Sequence, residues 1–253
     1  SESHNFTEGN EMSRPGKGGA GPAQPPAARW LGPLAVVSLA AVVAAQVAGF
    51  AMSPPERDMG HLQKILYVHV PAAWCAFLAA LVLFVFSVLY LVRRQERYDL
   101  LAASAAEAGA VFTALTLALG SIWARPTWGV WWTWDPRLTT TAILMLIYVG
   151  YLALRAFTED SERRARWSAA VGILAFLDVP IVYMSVRWRS IHQVQSSPAT
   201  VDSPYALGLE VNALAFVLLL IYLTAQRYHA ARLERAAEAL REEAAFEPGG
   251  AHV

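Results

Sequence analysis

One cysteine, Cys75, stands in 253 residues, so an intrachain disulfide is impossible. A CxxC metal pair and a CxxCH cofactor-attachment motif are likewise excluded. Charge is scarce: Asp, Glu, Lys and Arg make up 16% of the chain, against roughly 25% in an average soluble domain. The 20 basic and 20 acidic side chains cancel, which removes the basic surplus a nucleic-acid binder needs. The chain also lacks a Walker motif, a dinucleotide fingerprint and internal repeats. Apolar residues fill the gap, at 56% of the chain, with nine Trp, nine Tyr and ten Phe. Mean hydropathy is +0.36. This is the composition of a membrane protein.

About 20 apolar residues are needed to cross a hydrocarbon core of roughly 30 Å. Six segments qualify: 30–52, 65–92, 100–122, 138–157, 167–186 and 205–225. The expected fold is therefore all-α and polytopic, with a six-helix domain over 30–226. The first segment is too long for a signal-peptide core and reads as a retained helix. Residues 1–29 are rich in Gly, Pro, Ala and Ser and read as a flexible tail. Met12 lies inside that tract, leaving open an added origin for 1–11. Residues 227–253 read as a second tail, partly an Ala-rich helix of mixed charge that continues the sixth span. Fourteen Lys and Arg fall on the side of the two tails and six on the other. The positive-inside rule then puts both termini in the cytoplasm.

The three outer loops are then 53–64, 123–137 and 187–204. Five of the nine Trp crowd the middle one: Trp123, Trp128, Trp131, Trp132 and Trp134. Pro126, Gly129 and Pro136 are expected to break any long element there, giving a folded interfacial segment. An aromatic belt is the ordinary alternative, but a belt spreads Trp over many helix ends on both faces. Clustering on one loop favours a platform for a flat ligand. Asp135 before Pro136 reads as a helix N-cap, which sets Arg137 in the first turn.

Histidine depth completes the pattern. With Pro71 as the first helical residue, residues 71–92 give roughly 33 Å of helix at about 1.5 Å per residue. His69 then lies just above the outer boundary, and His192 lies just beyond the end of the fifth span. Two His at matched depth beside a Trp platform suit axial ligation of haem iron. Arg125, Arg137, Arg187 and Arg189 are available to the two propionates. His61 lies in a polar loop; His4, His229 and His252 lie in the tails. Within the spans are Glu107, Asp178 and Glu210, ionisable groups that read as functional by default. Their roles stay open.

Three stretches carry a resemblance. Residues 128–139, WGVWWTWDPRLT, resemble the tryptophan-rich WWD signature of the haem-handling proteins of cytochrome c maturation. Residues 66–74 (LYVHVPAAW) and 179–193 (VPIVYMSVRWRSIHQ) resemble the segments bearing that family's two outer-face histidines. The match covers roughly 60–195, in order, and is most similar to the six-span CcmC branch. The resemblance implies non-covalent, transient haem b at the periplasmic face of a bacterial inner membrane. It implies His69 and His192 as axial ligands and the Trp loop, with Asp135, around the porphyrin. It further implies delivery to a CcmE-like chaperone within a complex of CcmA-, CcmB- and CcmD-like subunits, without catalytic turnover. Two other readings stay in view: a cytochrome b-like electron-transfer subunit, and a structural anchor for an ABC transporter.

Overall fold

In the computed structural model the described residues are 28–188 and 203–246. They form six long helices: α1 (Leu31–Met52), α2 (Leu66–Arg93), α3 (Glu96–Trp128), α4 (Pro136–Phe157), α5 (Ser161–Met184) and α6 (Ser203–Phe246). Each is long and apolar enough to cross a membrane, so this is an all-α, multi-pass membrane protein. No strand occurs among the described residues beyond one isolated bridge, Glu56–Gly60.

The most enclosed of the six helices is α3. In α3, 67% of the apolar window is buried, against 17% in α1. Its interior face is nearly all small: Ala102, Ala103, Ala105, Ala106, Ala108 and Ala110 are buried, as are Ala72, Ala76, Ala79 and Ala80 on α2. Small side chains let two backbones approach closely, which drives association where lipid is as apolar as the helices. The larger core residues Leu83, Leu144, Tyr148 and Tyr151 fill the space toward α4 and α5. Tyr148 Oη donates to the Ala76 carbonyl at 2.9 Å, tying α4 to α2.

Short turns set the order of the helices. Arg94 closes α2 in the left-handed region (φ 53°), its N–H reaching the Tyr90 carbonyl at 2.8 Å. Asp160 caps α5 by accepting from the Arg163 N–H at 2.6 Å. Where α3 and α4 approach this end, Arg155 holds Asp99 with two bonds of 2.5 and 2.9 Å. Glu107, deeper in α3, accepts from Arg227 of α6 at 2.6 Å, so one of the open membrane acids has a structural partner.

Two expectations about prolines need correction. Pro71 is not the first residue of α2; the helix begins five residues earlier, fed by a 3-10 turn over His61–Ile65. Pro126 does not break α3, which runs on to Trp128. A helical proline lacks the N–H for the carbonyl four residues back. For Pro71 that carbonyl belongs to Tyr67, and the Gln46 amide of α1 bonds it at 3.2 Å. A neighbouring helix thus supplies what the proline withholds.

From Leu233 onward α6 belongs to a second compact unit. Its described residues carry the exposed pair Arg235–Glu238 at 2.9 Å.

Candidate functional site

The start of α2 and α4 and the end of α3 and α5 share one end of the bundle, and this end carries the tryptophans. His69 lies in the second turn of α2, half-buried. Its ring meets Trp123 edge-on, with centroids 5.8 Å apart and planes at 83°. Because α3 continues past Pro126, Trp123, Arg125 and Trp128 ride on a helix rather than a loop. That helix stops at Gly129, whose φ of 77° suits glycine, with its N–H on the Arg125 carbonyl at 3.0 Å. The Arg125 guanidinium in turn donates to the Gly129 carbonyl, so this arginine helps close the helix.

Only 129–135 is non-helical between α3 and α4. Trp132 and Trp134 meet edge to face at 5.6 Å and 81°. Trp134 is 80% exposed and Trp131 59%, whereas Trp132 is half-buried. Asp135 performs the capping role expected of it: its Oδ1 accepts from the Leu138 N–H at 2.9 Å. Arg137 is half-buried in the first turn of α4, within Coulombic reach of Asp135 and of Tyr183 on α5. Arg187 is exposed in the short 3-10 turn Ser185–Arg187. Arg189 and His192 lie outside the described residues.

Four side-chain donors near this end are buried with no hydrogen-bond partner among the described residues: Trp123 Nε1, Trp132 Nε1, Thr133 Oγ1 and Thr139 Oγ1. A buried donor left unmatched costs about 1–3 kcal/mol, so such a group suits a ligand rich in acceptor oxygens. Flat aromatic faces, an imidazole, buried donors and nearby guanidinium groups match a planar, iron-bearing, dicarboxylate molecule such as haem. Of the site residues expected from the sequence, the tryptophans, His69, Arg125, Arg137 and Arg187 are described at this end of the bundle. Thr133 and Thr139 lie within the 128–139 signature, but the sequence reading does not single them out from it.

Two buried ionisable side chains lie outside this set. Lys64, which the sequence presents as one more outer base, is 6% exposed. Its Nζ bonds the Phe50 carbonyl at 2.5 Å and lies over the Phe50 ring, where a cation meets the negative end of α1. Asp178 is buried on α5, and its Oδ2 has no hydrogen-bond partner among the described residues. Glu210 is exposed on α6.

Comparison with known proteins agrees with this architecture. The family described as "CcmC: Heme exporter protein C" matches residues 23–243. The chain is 38% identical over 178 residues to heme exporter protein C of Bradyrhizobium diazoefficiens, covering 68% of each protein. It is 32% identical over 196 residues to heme exporter protein C of Escherichia coli K12, covering 77% of this chain and 80% of the relative. A putative cytochrome c biosynthesis ccmC-like mitochondrial protein of Marchantia polymorpha is 37% identical over 147 residues, covering 57% of this chain and 61% of that one. With its six spans and its tryptophan-rich end, this chain belongs to the CcmC, or heme exporter protein C, family.

Proposed function

We propose that this chain binds haem b, non-covalently and as cargo, at its Trp end, and presents it for cytochrome c maturation. The observation that carries the reading is the seating of His69 against Trp123, with four buried donors at the same end of the bundle. In this reading His69 and His192 supply the axial nitrogens. Trp128, Trp131, Trp132 and Trp134 cover the porphyrin, and Arg125, Arg137, Arg187 and Arg189 are the candidate propionate partners. Asp135 acts by fixing the backbone of Arg137.

The excess of Lys and Arg on the side of the tails supports an orientation with the Trp end toward the periplasm and both termini toward the cytoplasm. In this reading the membrane is a bacterial inner membrane. A carrier must release its cargo, so one haem edge stays open to a CcmE-like chaperone. Trp131 and Trp134, exposed in a short non-helical link, leave that edge accessible. CcmA-, CcmB- and CcmD-like subunits complete the assembly, and this chain contributes binding and presentation rather than catalysis. The cytochrome b-like alternative needs His pairs facing one another inside the membrane. Among the described residues, His61, His69 and His229 form no such pair.

The test is purification in detergent of the wild type and of His69→Ala and His192→Ala, with haem content and the Soret band read on each. Loss or shift of the band in both variants is the expected result. An unchanged spectrum in both would refute the ligand assignment.

A further inference from the structure

Glycine inside a helix is disfavoured relative to alanine. The sequence of α3 is otherwise alanine-rich, so a glycine there calls for a packing reason. At Gly120 the reason is His69. A Cβ at position 120 would lie 3.1 Å from His69 Cε1, 3.8 Å from Nδ1 and 3.9 Å from Nε2. The first distance is tighter than ordinary van der Waals contact, so an alanine there would require the ring to give way by a few tenths of an ångström where glycine admits it. Trp123, one turn further along the same face of α3, stands edge-on to the imidazole at 5.8 Å. The Cε1 corner of the ring is thus lodged against the α3 backbone, with an indole beside it. In this seat Nδ1 is buried.

We propose that Gly120 is a positioning residue: its missing side chain is the notch that seats the His69 imidazole, holding Nδ1 inside the bundle and assigning Nε2 to the iron of the cargo. The proposal rests on the reading of His69 as a ligand. It adds the means by which the ring is aimed. Ligating groups work within narrow angular limits and are held best by rigid helices, and here both members of the pair are helical. An alanine at 120 would leave His69 in place in the sequence while tilting its ring away from the productive direction.

The experiment uses the full chain in detergent with haemin as the probe. The variants are Gly120→Ala, His69→Ala and, as a control, Gly150→Ala, where an added Cβ meets nothing within 4 Å. Gly120→Ala is expected to retain haem about tenfold less tightly. Part of its ferric signal should move from low to high spin, and free imidazole should restore the low-spin form. Gly150→Ala should behave as wild type. A folded Gly120→Ala protein with the wild-type spectrum overturns the proposal. If His69→Ala also keeps the wild-type spectrum, the ligand reading has failed instead. A measurement on the apo wild type needs no variant: the His69 Hε1 proton should show a nuclear Overhauser contact to the Gly120 Hα protons. Absence of that contact overturns the notch, whatever the haem data say.

Discussion

The side-chain amide of Gln46 bonds the carbonyl of Tyr67, the one acceptor in α2 that Pro71 leaves without its helical donor. The same amide donates to Asn212 Oδ1 at 2.8 Å. Asn212 in turn reaches the Ala45 and Gly208 carbonyls at 3.0 and 2.8 Å. The Tyr67 hydroxyl is hydrogen-bonded to Ser53. A polar clasp therefore joins α1, α2 and α6 two residues from His69, in a region where α1 offers few buried side chains.

Gln46→Leu should cost about 1–3 kcal/mol, because it removes two interhelical bonds and strands the Tyr67 carbonyl. Pro71→Ala restores a backbone N–H to that carbonyl, so the loss should be smaller in the Pro71→Ala background. Denaturant titration of the four proteins in mixed micelles gives the coupling. Additive losses would mean that the two side chains do not share the carbonyl.

Trp134→Ala should leave the unfolding midpoint unchanged and still lower haem content. At 80% exposure its indole packs little beyond the edge-to-face contact with Trp132. An aromatic contact to a ligand is worth about 0.5–1.5 kcal/mol beyond buried area. Haem titration of detergent-purified protein, read beside thermal unfolding of the apo form, separates the two effects. A variant that binds haem as wild type does would remove Trp134 from the platform.

Arg155→Ala should be severe, at about 3–5 kcal/mol, because it leaves Asp99 buried without its bidentate partner. The side chains of the pair are only 13% and 8% exposed. Asp99→Asn combined with Arg155→Met removes both charges and should recover most of the loss. Equal instability of the single and double variants would count against the pair as the cause.

Glu56 governs the turn that leads into the His61–Ile65 segment. Its carboxylate accepts from the Met59 and Asp58 N–H groups at 2.7 and 2.9 Å. The Met59 bond, the larger effect, helps hold its pKa below the ordinary 4.5. A pKa lower in the folded state means the carboxylate supports the turn fully above the unfolded value. That support is lost as pH falls through the lowered one. The protection factors of the Met59 and Asp58 amides, taken against the intrinsic exchange rate at each pH, should therefore fall on acidification below about pH 4. Glu56→Gln should show the lower protection at neutral pH. Protection factors that do not change with pH would refute this account.

Hydropathy alone determined the six spans, because a bilayer leaves an apolar run of this length no choice but a helix. The Asp135–Pro136 helix start was equally legible, since capping is a local event between residues three apart. Local rules misjudged Pro71 and Pro126. A proline ends a helix only when nothing else meets the freed carbonyl, and the group that meets Tyr67 comes from a residue 21 positions away. Chemistry-bearing residue types were visible as types: His69, the tryptophans and the arginines stand out in any listing of this chain. What they touch was not. That Gly120 faces His69, that Arg155 finds Asp99 and that Lys64 turns inward to Phe50 depend on which helices lie side by side. That arrangement is decided by the fit of small residues along α2 and α3, a matching of surfaces distant in sequence that no single segment encodes.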